Sequence, residues 1–323
     1  MQYGHLPGID KPISRLVQGT VMIGSREPEK SFALLDAVFE LGCNTFDTAN
    51  TYGGGDNERT VGRWIREGGI RDKVVIIGKG AHPKGSGPRV TPLDITADLH
   101  QSLSRFRTEY IDLYLLHRDD PTAPVSGIVG ILNEHLKAGR IRAFGGSNWS
   151  HERIAQANEY ARKKGLTPFV ASSPNLSLAV QRQAPWEGCV SISGPEGATA
   201  REWYEQEGIA LFPWSSLGGG FFSGRFTRDN LDTFTEGLPK LCVECYCTEE
   251  NFRRIDRVRE LADDKGLSVP QVALAWVLNQ PMEIFPLVGC ATGDEFKTNV
   301  KALDVKLTPQ EIAWLDLQAE KRS

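Results

Sequence analysis

VVIIGKGAHPKGSGPRVTPLDITADLHQSLSRFRTEYIDLYLLH, residues 74 to 117, holds the unit from which the whole chain is built. VVIIGK at 74–79 and IDLYLLH at 111–117 are short β-branched or apolar runs and read as strands. Between them TPLDITADLHQSLSRF returns apolar residues every three or four positions, with Thr91 placed as an N-cap and Pro92 in the first helical position. A strand, a helix and a second strand predict a parallel pair joined by a right-handed crossover.

The unit recurs in both directions. Further strand-like runs are SRLVQGT (14–20), CNTFD (43–47), IRAFGGS (141–147), PFVASS (168–173), IALFPWSS (209–216) and EIFPLVG (283–289), which brings the count to eight. Helical patterns separate them. In SFALLDAVFEL one face carries Phe32, Leu35, Ala37, Val38 and Leu41, and Gly42 supplies the stop. SHERIAQANEYARKKG and TEENFRRIDRVRELADDKG both close on basic residues and a glycine, as the helix dipole favours. Eight repeats predict an α/β fold, a (β/α)8 barrel of the TIM class, with an open doubly wound sheet as the alternative. Two stretches break the rhythm, 174–200 after strand six and 218–248 after strand seven. Both are rich in Gly, Pro and Ser and read as long loops on the active face, so residues 1–323 form one expected domain with no internal boundary.

Composition narrows the function. The 323 residues carry 37 Lys and Arg against 41 Asp and Glu, a net charge of −4, so no general positive field is available for nucleic acid. No apolar run approaches the ~20 residues of a membrane-spanning helix. The start, MQYGHLPGID, has no secretion-signal pattern, and the expected location is cytoplasmic. Six cysteines are sparse for a disulfide framework. Cys242, Cys245 and Cys247 lie close together as CVECYC, but no further Cys or His follows at metal-site spacing, and free loop thiols are the expectation rather than a zinc or iron–sulfur site.

In a barrel the carboxyl ends of the strands converge on one mouth. Those ends carry Asp47 with Tyr52 beyond it, then Lys79, His117, and the pair Ser147 and Asn148. An acid, a phenol, an amine and an imidazole form a proton-transfer set: the lysine cation is expected to lower the phenol's pKa, the aspartate to hold the lysine, and the imidazole to orient a carbonyl. Each residue alone has an ordinary explanation, as a cap, a half-buried phenol, a solvated amine or a core histidine. The four together, at successive strand ends, point to a site.

CNTFDTANTYGGGDNER (43–59), IIGK (76–79), YIDLYLLHRDD (110–120) and GGSNW (145–149) resemble, in order, the signatures of the aldo-keto reductase superfamily, and the likeness extends from about residue 14 to residue 303. The resemblance implies Tyr52 as general acid in carbonyl reduction, tuned by Lys79 and Asp47, with His117 orienting the substrate carbonyl and hydride supplied by NADP(H) or NAD(H). It implies cofactor contacts at Gly19, Thr20 and Asp47, and at Ser147 and Asn148 for the carboxamide. It also places Ser173 and Leu176 where many relatives have Gln and a stacking Tyr, with Trp214 as a replacement ring. WSSLGGGFFSGR resembles the family's pyrophosphate loop, which assigns Trp214, Ser215, Ser216, Leu217, Gly219, Ser223 and Arg225 to the phosphates. As a Rossmann fingerprint the same glycines are weak, and a flexible lid is their plain alternative.

PLVGCATGDEFKTNV (286–300) resembles the adenosine-end motif imperfectly: Ala291 stands where many members are basic, Glu295 replaces an Arg or Gln, Thr298 replaces a Glu, and Asn299 is kept. A carboxylate in place of a guanidinium weakens a 2′-phosphate pocket, although Thr292 and Lys297 could compensate, so a relaxed NADP preference is expected. The expected partner is a small-molecule carbonyl substrate, with Trp149, Trp186 and Phe221 as candidate pocket walls or loop packing. Two rivals remain: a cofactor-binding redox-sensor subunit without significant turnover, and a metal-dependent hydrolase or lyase using His117 and Asp119.

Overall fold

The computed structural model describes residues 1–322 except Ser86. The chain opens with an antiparallel hairpin, β1 (Tyr3–Leu6) and β2 (Ile9–Ser14), which the strand count had not included. Eight parallel strands follow: β3 (Val17–Gly19), β4 (Thr45–Asp47), β5 (Val75–Gly80), β6 (Ile111–Leu116), β7 (Ile141–Ser147), β8 (Ala171–Ser173), β9 (Ala210–Leu211) and β10 (Leu287–Val288). Seven lie within the runs quoted above, and β5 runs one residue past VVIIGK, to Gly80. Neighbours pair in sequence order, and β10 returns to β3 with Leu287 opposite Val17. The remaining seam is closed by a bridge between Leu211 and Ile284, where Leu211 N donates to Glu283 O at 2.8 Å and Phe285 N to Leu211 O at 2.7 Å. The sheet is a closed barrel rather than an open doubly wound sheet.

Helices cover it: α1 (Pro28–Glu40), α2 (Asp56–Gly68), α3 (Pro92–Phe106), α4 (Val125–Lys137), α5 (His151–Lys164), α6 (Ala198–Glu207), α7 (Gly237–Tyr246), α8 (Glu249–Lys265), α9 (Val269–Leu278), α10 (Gly293–Val300) and α11 (Pro309–Leu315). Their ends follow local chemistry. Thr91, Ser150 and Thr248 each accept a hydrogen bond from the backbone amide three residues on, and Gly165 and Gly266 close α5 and α8 in the left-handed conformation. No helix of the described residues is long and apolar enough to cross a membrane.

Strand alternation divides the apolar residues into two cores. Val17, Val75, Ile77, Leu113, Leu115, Ala143, Ala171 and Phe212 fill the barrel, and Leu6, Ile9 and Ile13 of the hairpin pack into the same cluster. Phe46, Ile76, Tyr114, Leu116 and Phe144 face outward into the larger layer between sheet and helices. The interior is tight. A Cβ at Gly145 would lie 2.1 Å from the Ala171 carbonyl oxygen and 3.0 Å from Leu115, so the barrel has no room there for a side chain.

One expectation fails after β9. Residues 218–248 are not loop throughout: Gly218–Ser223 is a short 3-10 segment and α7 is a true helix carrying CVECYC. Cys242, Cys245 and Tyr246 are its buried residues, at the spacing of one helical face. The cysteines serve there as small hydrophobes, a role that a reading of them as thiols conceals. The loop after β8 runs, as expected, without a strand or α-helix of its own to α6.

Candidate active site

The period-two alternation that fills the barrel also builds its mouth. Thr45 and Asp47 share the inward face of β4, Val75, Ile77 and Lys79 that of β5, and Leu113, Leu115 and then His117 that of β6. On β7 and β8 the same faces end in Ser147 and Ser173. Each functional side chain is therefore one step beyond the last apolar layer.

Tyr52 arrives by a different route. After β4 the chain runs beside β5, with Thr48 N donating to Ile77 O and Asn50 N to Lys79 O, both at 2.8 Å, and then turns through Tyr52–Gly55. Lys79 Nζ donates to Asp47 Oδ1 at 2.5 Å, to Thr48 O at 3.1 Å and to Tyr52 Oη at 3.5 Å. The ammonium also lies 5.2 Å from the Tyr52 ring centroid. The rings of Tyr52 and His117 meet edge-on at 6.0 Å. The structure thus brings Asp47, Tyr52, Lys79 and His117 together.

Their electrostatics follow from burial. Burial alone would lower the pKa of Lys79, but Asp47 and Tyr52 outweigh it and hold the ammonium above its ordinary value. Asp47, against this cation, is a buried ion-pair partner whose carboxyl burial pushes up and Lys79 pulls down. Tyr52 departs from the sequence expectation. Lys79 does pull its pKa down, but burial is the larger effect and the phenol ends above its ordinary value, so it is a protonated donor at neutral pH. His117 is driven well below its ordinary value by burial first, then by Lys79, Arg118 and His82. It is a neutral imidazole. Its Nδ1 has no hydrogen-bond partner among the described residues.

Around this centre, Ser147 Oγ donates to Ser173 O at 3.1 Å, and Asn148 Nδ2 donates to Ser147 Oγ at 3.1 Å and His117 O at 3.3 Å. Asn148 Oδ1 accepts from Trp214 Nε1 at 3.1 Å and Val190 N at 3.2 Å. All four hydrogen-bonding positions of the Asn148 amide are thus taken within the protein, whereas the buried Ser173 Oγ has no partner among the described residues. Backbone strain marks the same rim. Ala81 and Asn148, each just past a strand, and Ser215, four residues beyond β9, have φ of 59°, 57° and 53°.

The other predicted positions separate into groups. Gly19 ends β3, and Thr20 donates through Oγ1 to Asp47 O at 2.8 Å, which ties the first strand end to the second. Ser216 is buried and donates to Pro213 O, Leu217 opens the 3-10 segment, and Gly219 and Gly220 are left-handed within it. Ser223 is exposed, and Arg225 is exposed with its guanidinium over the rings of Phe226 and Phe234. At α10, Thr292 is the N-cap and Oε2 of Glu295 accepts from Ala291 N at 2.7 Å. Asn299 is buried and donates to the Cys290 sulfur. Of the candidate aromatic walls only Trp186 is exposed, 6.5 Å from Trp214; Trp149 and Phe221 are core. Leu176 is likewise buried.

Two residues of the mouth escaped the sequence reading. His82 packs edge-on against His117 at 4.8 Å, and its position just past the end of β5 was the available signal. Asn175 joins three segments, donating to Trp214 O and Tyr246 Oη and accepting from Ser191 and Ser193. Nothing local announces it. Asp119 is committed to Arg153 at 3.0 Å, and among the described residues no three His, Cys, Asp or Glu side chains gather as a metal site.

A closed (β/α)8 barrel with a buried Lys–Asp pair, a protonated phenol and a neutral imidazole at its carboxyl mouth defines the class. The profile of the Aldo/keto reductase family matches residues 15–319, and the chain belongs to that family and is an NAD(P)-dependent oxidoreductase. A probable aryl-alcohol dehydrogenase of Saccharomyces cerevisiae is 27% identical over 91% of this chain and 89% of its own. A probable voltage-gated potassium channel subunit beta of Oryza sativa is 27% identical over 100% of this chain and 98% of its own. The crystal structure of a thermostable aldo-keto reductase with the inhibitor epalrestat superposes with a TM-score of 0.74 at 22% identity, covering 99% of this chain and 100% of that one. This last likeness is one of fold.

Proposed function

We propose that the protein reduces an aldehyde or ketone to its alcohol, or runs the reverse oxidation, with Tyr52 as the proton donor. The carrying observation is the contact of a phenol kept protonated by burial with an ammonium held by Asp47. The nicotinamide cofactor supplies the hydride at the carbonyl carbon. The residues present fit that group: Ser173 Oγ at a strand end has no partner among the described residues, and the left-handed Gly219 and Gly220 leave a backbone without side chains where phosphates would approach. Asn148 joins the carboxamide contact only by exchanging its bond to Trp214 or Val190, so Ser147 and Ser173 are its better holders.

In reduction, neutral His117 offers an N–H to the carbonyl oxygen and sets its direction. Tyr52 Oη gives its proton to the oxyanion as charge develops there. Lys79 then faces a phenolate at 3.5 Å and stabilises it, while Asp47 keeps the ammonium in place. The lowering of the phenol's pKa expected from Lys79 is thus realised as the proton departs, when the cation meets an anion rather than a neutral group.

Exposed Val21 and Met22 follow the end of β3, and Trp186 stands beside Trp214. These apolar walls favour a carbonyl compound with an aromatic or apolar body. At the adenosine end the Glu295 carboxylate already occupies an amide and repels a 2′-phosphate, so NAD(H) serves as well as NADP(H). Reduction of 4-nitrobenzaldehyde with each reduced cofactor tests the reading, beside fluorescence titration of both cofactors. Turnover that Tyr52→Phe removes while cofactor binding persists supports it. Cofactor binding without turnover by the unmodified protein would replace it with the sensor reading that the channel-subunit relative supports.

A further inference from the structure

Asp47 and Lys79 lie within strands and His117 directly follows one, but Tyr52 stands on a turn of low intrinsic rigidity. Gly53, Gly54 and Gly55 come straight after it at φ of 55°, 61° and 92°, and glycine there has the widest backbone freedom of any residue. The contact of Tyr52 Oη with Lys79 Nζ is long, 3.5 Å, and does not fix the phenol by itself. Its place has to be set from outside the turn.

Arg105, in the last turn of α3, lies against that turn with its side chain 15% exposed. Its Nη1 donates to both ends: to Asn50 O at 2.7 Å, two residues before Tyr52, and to Glu58 Oε2 at 2.8 Å, in the first turn of α2. The guanidinium also covers the middle, since a Cβ at Gly55 would stand 2.3 Å from Arg105 Cζ. The Glu58 carboxylate is fully buried. α3 adds a second hold on the same strand exit. Asp98 O, Gln101 Oε1 and Ser102 Oγ lie 3.2–3.3 Å from Asn50 Nδ2, and Gln101 Oε1 accepts from Arg105 Nη2 at 3.1 Å.

We propose that Arg105 is a positioning residue for proton transfer: with Glu58 it clamps residues 50–58 against α3 and so keeps Tyr52 Oη within reach of Lys79. The inference rests on the reading of Tyr52 as the proton donor. Arg105 acts at a distance, through the backbone that carries the phenol, and a misplacement of about 1 Å is enough to cost about 10²-fold in rate. Shape matters here as well as charge. A guanidinium donates twice from one nitrogen and lies flat over Gly55, whereas a lysine ammonium is a point charge without the planar fork.

The test measures 4-nitrobenzaldehyde reduction, cofactor Kd and urea unfolding for Arg105→Met, for Arg105→Met with Glu58→Leu, and for that pair in a Tyr52→Phe background. Arg105→Met alone strands a buried carboxylate. The paired change removes both charges and should keep the unfolding midpoint near that of the unmodified protein. With the fold secured in this way, kcat is expected to fall about 10²-fold while the Kd values of NADH and NADPH stay unchanged. In the Tyr52→Phe background the same pair should cost less than about twofold further, because a clamp on the phenol has no hydroxyl left to position. Arg105→Lys, which keeps a cation beside Glu58 without the fork, should lose about tenfold. Should the pair unfold, that loss and its disappearance in the Tyr52→Phe background decide. A folded pair whose kcat stays within about threefold of the unmodified protein overturns the clamp. So does a loss of equal size in the Tyr52→Phe background, or one that appears in cofactor Kd, since either marks general damage to the mouth. Turnover that survives Tyr52→Phe itself would remove the reading of Tyr52 as donor, and the purpose of the clamp with it.

Discussion

The strand-end cluster and the region proposed to hold the cofactor's tail share one face of the barrel but are built on different principles. Asp47, Lys79 and His117 sit on rigid strands, almost fully buried, one alternation step past a packed apolar layer. Glu295, Thr292, Arg225 and Ser223 sit on a short helix and a loop, at the surface, held by local caps and ring contacts. A buried charge needs its partner at a fixed distance because desolvation leaves no substitute. An exposed charge is screened and replaceable. Chemistry is therefore expected to be intolerant of change at the first region, and cofactor choice adjustable at the second.

Removal of the Tyr52 hydroxyl is the harshest test of this contrast. Tyr52→Phe should lower kcat for reduction by roughly 10²–10⁴-fold, the usual worth of a positioned proton donor, with cofactor Kd unchanged. An activity loss of less than threefold would end the distinction between the two regions.

Lys79→Met comes next, since it leaves the Asp47 carboxylate buried without its counter-ion. A loss of about 3–5 kcal/mol in unfolding free energy is expected, read in urea titrations beside a collapse of turnover. Restoration of stability by the double change Lys79→Met with Asp47→Leu would confirm that the unpaired charge, rather than lost packing, was responsible.

The tail region should respond more mildly. Glu295→Arg removes the carboxylate on Ala291 N and offers a guanidinium, and it should shift the ratio of kcat/KM for NADPH over NADH by about tenfold or more toward NADPH. A ratio that does not move would place the 2′ position away from α10.

The smallest effect is one of pH. Because burial raises the Tyr52 pKa, the proton needed for reduction is fully present at neutral pH and is lost only above the ordinary phenol value of about 10. The rate of reduction should be flat from pH 7 to about 9, and an inflection of kcat in that window, absent in a His117 variant, would assign the proton elsewhere.

Much of this was legible in the sequence because it depends on short-range regularities. The eight runs are strands because apolar content and β-branching persist over a few residues, and Thr91, Ser150 and Thr248 cap helices through contacts three residues long. Period-two alternation carries the pattern of Val75 and Ile77 on to Lys79, so the mouth residues could be named before any coordinates. α7 was misread because its buried face is written in cysteines rather than leucines. The N-terminal hairpin was missed because its role is to pack under a barrel that it does not join.

The sequence alone determined the number and order of the eight barrel strands, the side chains at their ends, and the acidic substitution at Glu295. Only the tertiary structure decided that Lys79 lies 2.5 Å from Asp47, that burial outweighs the lysine at Tyr52, that Asn148 is already saturated, and that Cys242 of CVECYC lies against Gly218. Local propensity is a property of neighbours in the chain. Desolvation and hydrogen-bond saturation are sums over neighbours in space, and those are set only when the barrel closes.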